Sequence, residues 1–426
     1  MSAFEAMNIR NKVPALQAKL SRAAKQSLDR RFGALYDKVY REDVLCEAWT
    51  RVRANNGAPG IDDLNFKTIE EVIGVEAFLR EIRNELRAQQ YRPVPVRRHW
   101  IDKPGKSEKR PLGIPIIKDR VVQMAVKLVI EPIFETNFLA CSYAYRPKRS
   151  VQMAVRKIRS EITFGKKTEV IEADIVGCFD NIRQDILLNL VQRRISDQRL
   201  LKLICAWLRA GVLEDGEWQA PDGLGSPQGA VISPLLCNVY LHSFDMMFKL
   251  SKIPGILVRF ADDFVILLWS KGKQVLEQVR QMLARLGLEL HPNKTRVSRA
   301  EDGFDFLGIH FRLRPITRPN AKVKQSCAVW PSNRSIKRVK QRVREIIGRR
   351  YSLSLEEMIS ELNPSLRGWA NFHLSVKPNR SRMRKLNGFV GERLRIFLRR
   401  KYNDDGRGTW RVQGNLPARL GLYQFA

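Results

Sequence analysis

The sequence predicts an α+β fold in which strands far apart in the chain form a sheet with helices packed on it. Three observations predict it. Short apolar, β-branched runs occur at 170–175, 255–260 and 264–268, the first far from the other two. Between and around them, apolar positions recur at helical spacing. Past about Leu313 the composition shifts to a basic, helix-like pattern that marks a further domain.

Taken in order, residues 14–54 read as helical, with Leu16, Leu20, Ala24 and Leu28 at helical spacing. Asn55 through Asp62 is a turn-rich break. A helix is expected from Ile69 to Gln89, and strand-like pieces from Tyr91 to Pro115 flank the loop Lys103–Arg110. Helices follow over 118–138 and 149–163, then the strand Val170–Ile175 and helices to about 210. Ser226-Pro227-Gln228-Gly229 opens a stretch that becomes a helix by 250. Gly255–Phe260 and Phe264–Leu268 form a hairpin, with a helix over 274–286 and short strands near Leu288 and over Phe304–Ile309 after it. Residues 314–333, with Pro315, Pro319 and Pro331, read as a linker. Arg334–Arg350 is one amphipathic helix: Ile336, Val339, Val343 and Ile347 share a face and eight Lys/Arg occupy the rest. The stretch beyond is helical and very basic, without internal repeat or low-complexity tract.

A chain of 426 residues, 44% hydrophobic, supports two or three domains with a sizeable core. Its 76 Lys+Arg against 44 Asp+Glu give a net charge of +32, spread along the chain. A polyanionic partner is expected, and nucleic acid fits, with salt-dependent affinity. A membrane does not, because no apolar run approaches the roughly 20 residues of a spanning helix. None of the six cysteines (Cys46, Cys141, Cys178, Cys205, Cys237, Cys327) forms a Cys-x-x-Cys pair, and five scattered histidines complete no zinc spacing. Buried, reduced thiols in a cytoplasmic protein are expected, and the N-terminus has no signal-peptide pattern.

The chemistry centres on the run Arg259-Phe260-Ala261-Asp262-Asp263-Phe264-Val265-Ile266-Leu267. Adjacent carboxylates at the tip of an apolar hairpin are costly unless a cation sits there. Magnesium prefers such hard oxygens together with substrate phosphates. Two-metal phosphoryl transfer needs carboxylates bridging ions about 4 Å apart, and the hairpin supplies at most two. Asp174, at the end of its apolar strand and 88 residues before Asp262, supplies the third. The dipeptide alone is weak evidence: Asp62-Asp63 and Asp404-Asp405 sit in polar turns. Asp174 alone reads as a cap or a solvated side chain.

Seven blocks follow one another along the chain. The first is Lys103-Pro104-Gly105 through Lys109-Arg110-Pro111-Leu112-Gly113-Ile114-Pro115, and the second Asp119-Arg120-Val121-Val122-Gln123 through Tyr143-Ala144-Tyr145-Arg146-Pro147. Asp174 to Asp180 and then Ser226-Pro227-Gln228-Gly229 through Ser233-Pro234-Leu235-Leu236-Cys237-Asn238 come next. Phe260-Ala261-Asp262-Asp263, Leu290-His291-Pro292-Asn293-Lys294-Thr295 and Phe306-Leu307-Gly308 complete the set. In this order they resemble a reverse transcriptase, and specifically a bacterial group II intron-encoded reverse transcriptase/maturase of the endonuclease-lacking, class C-like kind. Leu362-Asn363-Pro364-Ser365-Leu366-Arg367-Gly368-Trp369-Ala370-Asn371-Phe372 resembles that family's RNA-binding thumb; read alone it is a turn and a buried Trp.

The resemblance implies a right-hand polymerase, fingers and palm with an antiparallel sheet, followed by an α-helical thumb/maturase domain and a basic C-terminal helical segment. The divisions it implies are an N-terminal helical extension (1–75), fingers and palm (76–313), thumb/maturase (314–385) and a basic DNA-binding segment (386–426) with no endonuclease domain. It implies Asp174, Asp262 and Asp263 as catalytic carboxylates, with two Mg²⁺ ions held by Asp174, Asp262 and Ile175. Contacts to the dNTP fall to Lys103, Arg110, Ile175, Phe179, Gln228 and Lys294. Phe179, five residues beyond Asp174, matches the position whose ring lies under the incoming sugar and excludes a 2′-OH. Outside the motif, Phe179 reads as a core aromatic and Lys103, Arg110 and Lys294 as solvated surface. Lys337, Arg338, Arg342, Arg380 and Arg384 would grip nucleic acid through phosphates, which position without specifying sequence. The implied partners are group II intron RNA, template RNA with a DNA primer, target DNA and dNTPs, with no membrane and an oligomeric state left open. The implied location is the cytoplasm, with the nucleoid when DNA is bound.

Two departures stand out: Phe260 where the family commonly has Tyr, and Asp63 where it commonly has Gly. If position 63 needs a positive φ, Asp tolerates it better than most residues, at some strain. Without an endonuclease, the family pattern implies priming from a nascent strand or insertion into single-stranded or transiently open DNA. Two alternatives share the motifs: a host-recruited enzyme of DNA repair or phage defence, and a non-catalytic RNA-binding splicing factor. Three converging carboxylates argue against the latter.

Overall fold

The structure, a computed structural model, describes residues 3–102, 109–220, 222–226, 228–316, 325–348, 350–373, 380–403 and 416–425. Lys103, Pro227, Pro319, Asp404 and Asp405 therefore lie outside the described residues. The chain divides into two units. The first takes Met1–Arg149, Ala173–Phe264 and Lys273–Thr295, and the second Ser150–Glu172, Val265–Gly272 and Arg296–Ala426.

The first unit begins with a helix over Ala3–Gln26, followed by a short one over Tyr36–Val39 and another over Glu42–Ala54. The expected continuous helical stretch is interrupted at 27–35 because long-range bonds capture the backbone. Phe32 donates to the Arg194 carbonyl at 2.8 Å and accepts from the Ser196 N–H at 2.9 Å. Buried Asp197 takes the N–H groups of Leu35 and Tyr36, both at 2.9 Å. Leu28, expected on the apolar stripe, is accordingly 55% exposed. The helix expected over 69–89 is split as well. A π-helical turn over Ile69–Ile73 ends at Gly74, and an α-helix runs over Val75–Arg87.

Strand β1 (Val96–Asp102) pairs antiparallel with β2 (Lys109–Ile114). The mostly buried helix Ile117–Phe134 follows. Strand β3 (Glu169–Asp174) precedes helices over Gln184–Gln192 and Gln198–Arg209. Strands β4 (Val212–Glu214) and β5 (Glu217–Gln219) extend the first sheet to the order β2-β1-β4-β5. Because β1 and β4 run parallel, this sheet is mixed, not antiparallel throughout. The helix Ser233–Leu250 has Pro234 in its first turn, where the missing N–H has no intrahelical partner to lose. It leads to the hairpin of β6 (Gly255–Phe260) and β7 (Asp263–Leu268), and a helix over Gly272–Ala284 follows. In the second unit, β8 (Arg296–Arg299) pairs antiparallel with β3 over Glu169–Glu172. The strand expected near Leu288 reduces to one bridge, Leu290 to Ile175.

Asp63 has φ 53, so this position does need the left-handed region. Its carboxylate accepts from Arg97 at 2.7 Å, an ion pair that Gly could not make.

In the second unit, β9 (Phe304–Phe306), β10 (Ile309–Pro315) and β11 (Gln325–Pro331) form an antiparallel sheet of order β11-β10-β9. The proline-bearing linker expected at 314–333 is thus partly strand, and the domain boundary expected at 313 falls inside β10. Pro315 and Pro331 sit at strand ends, where a missing N–H is tolerated. Helices over Asn333–Ile347, Leu355–His373 and Arg380–Lys401 share one apolar cluster that includes Val343, Leu362, Leu366, Leu394 and Phe397. Each such fully buried side chain contributes about 1.5–3 kcal/mol. The amphipathic helix buries Val339, Val343, Ile346 and Ile347 and leaves Ile336 partly covered. The segment 416–425 is stitched to this cluster by two asparagines. Asn363 donates to the Gly421 carbonyl and accepts from the Tyr423 N–H, and Asn387 does both with the Phe425 backbone, all at 2.8–2.9 Å.

Among the described residues no helix is long and apolar enough to cross a membrane. All six cysteines are free; Cys178, Cys237 and Cys327 are buried, and Cys46, Cys141 and Cys205 are only half-buried.

His373 is buried in the second unit, 2.6 Å from the Ser335 hydroxyl, and among the described residues its Nδ1 has no partner. Burial pushes its imidazole down to about 4 from 6.5. The unfolded chain therefore binds the extra proton between these values, and stability is complete above pH 6.5 and lost as pH falls toward 4. Thermal melts at stepped pH should show this loss in the wild type and a smaller one in His373→Gln. Equal slopes would remove His373 as the cause.

Candidate active site

The tip of the β6–β7 hairpin is built by a strained residue. Ala261 has φ 59 and is buried, so the chain turns there and delivers Asp262 and Asp263 in succession. Asp174 ends β3 and is 8% exposed. Backbone bonds fix it from both sides. The Ile175 N–H donates to the Asp262 carbonyl at 3.4 Å, while the Val176 N–H reaches the Glu289 carbonyl at 2.9 Å and the Asp174 carbonyl accepts from His291 at 2.8 Å. These bonds bring together three segments that the sequence separates widely.

The electrostatics follow from that convergence. Crowding of the Asp263 carboxyl by protein, its hydrogen bond with Asp174 and the charges of Asp174 and Asp262 push it up to about 8, against the pull of Lys294. Burial and the Asp174 charge also raise Asp262, with Arg110 and Lys294 opposing. The Lys294 ammonium forms an ion pair with Asp174. Like-charged carboxylates in contact must share a proton or a cation. Asp174 raises both of its neighbours, so the three acids lie within electrostatic reach of one another. Among the described residues no three His, Cys, Asp or Glu side chains form a complete metal-binding set. The donors present are hard carboxylate oxygens, the chemistry a magnesium ion prefers. Ile175 is buried and its side chain has no donor atom, so only its backbone carbonyl could offer an oxygen to such an ion.

Of the residues expected to contact the nucleotide, Phe179 and Gln228 are tied to neighbouring segments. Phe179 is half-buried, and its carbonyl accepts from Ser226 at 2.8 Å. The Gln228 amide donates to both oxygens of Asp180, at 3.0 and 2.9 Å. The Gln228 carbonyl accepts from the Gly113 N–H on the strand that carries Arg110. Gly229 has φ 107, and a Cβ there would lie 2.4 Å from the Gly113 carbonyl oxygen. Only glycine lets this loop close on β2. Lys337, Arg338, Arg342, Arg380 and Arg384 are exposed on helices of the second unit, with Arg342 3.4 Å from Glu345.

Sequence reasoning missed two groups. Asp180 lies inside a quoted block, but its role as the anchor of Gln228 needs the fold. Arg259 opens the quoted run and has no solvent exposure. It donates to Asp245 at 2.8 and 2.6 Å, to Asn238 at 3.3 Å, to the Ala261 carbonyl at 3.1 Å and to Ser142 at 2.9 Å. Asp245 raises its guanidinium pKa, against the lowering effect of burial. The available signal was Asp245 itself, an acid on a largely apolar helix.

The description "reverse transcriptase (RNA-dependent DNA polymerase)" matches residues 101–311, and "group II intron, maturase-specific domain" matches 336–414. The chain is 33% identical to Protein YkfC of Escherichia coli (strain K12) over 346 residues, 72% of this chain and 90% of that protein. It is 36% identical over 234 residues to the group II intron-encoded protein LtrA of Lactococcus lactis subsp. cremoris, covering 54% of this chain and 38% of LtrA. A 91 kDa protein in the cob intron of Schizosaccharomyces pombe is 26% identical over 456 residues, 88% of this chain and 54% of that one. The chain thus spans most of the first relative and well under half of the second.

Removing one partner of a buried ion pair typically costs about 3–5 kcal/mol. Asp245→Ala should therefore lower stability by about that much in denaturant titration. Arg259→Met combined with Asp245→Leu should recover part of the loss. A single variant as stable as wild type would contradict this account of the hairpin base.

Proposed function

Because the chain belongs to the group II intron-encoded reverse transcriptase/maturase family, we propose that it is an RNA-directed DNA polymerase that copies intron RNA into cDNA and assists intron splicing and mobility. The observation that carries the reading is the convergence of Asp174, Asp262, Asp263 and Lys294 at one sheet end. A pure RNA binder has no physical need for crowded carboxylates there. LtrA, a group II intron-encoded protein by name, supports the intron assignment.

Asp174, Asp262 and Asp263 would hold two Mg²⁺ ions, with the Ile175 backbone beside them. When bound, these ions supply a polarised α-phosphate and an activated primer hydroxyl. The chain's own residues position the rest. Arg110, with a fork suited to phosphate oxygens, holds the triphosphate, and Lys103 is assigned the same task. Phe179 lies under the sugar and excludes a 2′-OH. Asp180 fixes the Gln228 amide so that it faces the nucleotide. Lys294 neutralises the carboxylates until substrate arrives and then faces the triphosphate. Lys337, Arg338, Arg342, Arg380 and Arg384 grip template–primer and intron RNA. Target DNA, and with it the nucleoid in the cytoplasm, completes the proposed partner set.

Primer extension on an RNA template with dNTPs and Mg²⁺, wild type beside Asp262→Ala, tests the reading. Full-length cDNA from wild type and at least a thousandfold loss in the variant is expected, about 4 kcal/mol of transition-state stabilisation. Wild type that makes no cDNA yet binds structured RNA tightly would transfer the assignment to a splicing factor.

A second expectation concerns protons. A metal must displace the proton that Asp263, raised to about 8, holds at neutral pH. The sign follows: Mg²⁺ affinity should rise from pH 6.5 to 8.5, with proton release on binding. Calorimetry in buffers of different ionisation enthalpy measures it, and binding without proton release would contradict it.

A further inference from the structure

One aromatic side chain near the carboxylates has no assigned task. Tyr145 is 49% exposed although its neighbours Ala144 and Arg146 are buried. Its φ is 55, a left-handed conformation for a bulky residue. Such strain persists only where the surroundings impose it, and it concentrates at functional sites.

The surroundings that impose it can be named. The Arg146 guanidinium donates to the Leu139 and Ser142 carbonyls at 2.6 and 2.8 Å and pairs with Glu135 at 2.7 Å. The Ala144 carbonyl accepts from Asn238 at 2.8 Å, and the Tyr143 N–H donates to the Arg259 carbonyl at 3.0 Å. Arg259, which donates to Ser142 and to the Ala261 carbonyl, thus ties this loop to the hairpin that carries Asp262. Tyr145 is held between two clamped residues with its side chain outward.

The phenol is within electrostatic reach of Asp262, whose charge with burial raises its pKa, and of Arg110, whose charge opposes. It is also close to the thiol of Cys178, the neighbour of Phe179. Among the described residues its hydroxyl has no hydrogen-bond partner. Asp262 marks the metal side of the proposed reaction, Arg110 the triphosphate and Phe179 the sugar. A group near Asp262, Arg110 and the residue that precedes Phe179 lies beside the place this reading gives the incoming nucleotide.

We propose that Tyr145 contacts the incoming nucleotide, its hydroxyl hydrogen-bonding the sugar and its ring closing the pocket beside Phe179. This rests on the polymerase reading. The strained backbone then has a use: it turns a large side chain away from the core and over the carboxylates.

Single-nucleotide incorporation by wild type, Tyr145→Phe and Tyr145→Ala tests it, with template–primer affinity and thermal midpoint measured alongside. Loss of one neutral hydrogen bond should raise the dNTP KM about fivefold in Tyr145→Phe. The rise should be larger in Tyr145→Ala, with kcat within about twofold in Tyr145→Phe and template–primer affinity and midpoint unchanged in both. An unchanged KM in both variants of an active enzyme overturns the inference and leaves the polymerase reading standing. So does a change confined to template–primer affinity or to the midpoint. If wild type itself incorporates nothing, the polymerase reading falls and takes this inference with it.

Discussion

A guanidinium cannot be buried without a counter-charge, and the hairpin that carries Asp262 is built around one. Arg259 has no solvent exposure, and its five donors reach an acid on the helix Ser233–Leu250, an amide on the same helix, a hydroxyl at Ser142 and the Ala261 carbonyl. Replacing such a pair by apolar groups can be neutral in energy, so stability alone does not account for it. What the pair provides is direction. A planar fork with fixed angles sets where three segments meet. The left-handed turn at Ala261 can then be held against its strain.

From that base the carboxylates are aimed at one another. The bonds on either side of Asp174 leave little freedom for the end of β3, and the acids there raise one another's pKa. In a chain of net charge +32, such an acidic spot stands out against its background. Long-range attraction of a polyanion and local retention of cations are handled by different residues. The surplus lysines and arginines supply the first, and on the proposed reading three aspartates supply the second.

Much of this was legible in the sequence. Whereas the Gln228 loop was found through the family resemblance, the Asp-Asp hairpin and the apolar strand ending at Asp174 were readable because local composition and spacing encode them. The amphipathic stripe through Val339 and Val343 was readable for the same reason. What could not be read depends on contacts between distant segments. The break at 27–35 exists because Asp197 and the 194–196 backbone take its hydrogen bonds. The prolines at 315 and 331 suggested a linker, but both occupy strand ends that tolerate them. The Asp180 anchor and the partners of Arg259 carry no local signature.

The closure of the Gln228 loop on β2 has a consequence for anyone who would alter this protein. A side chain at 229 would strike the Gly113 carbonyl oxygen, and one at 113 would strike Val96. The first obstacle is main chain, so no compensating side-chain change elsewhere can make room for it. The strand that carries Arg110 and the loop that carries Gln228 therefore form a single unit of inheritance. A recombination breakpoint between them would separate surfaces that fit only as a pair. Libraries aimed at new nucleotide preferences should randomise around these two glycines and leave both in place.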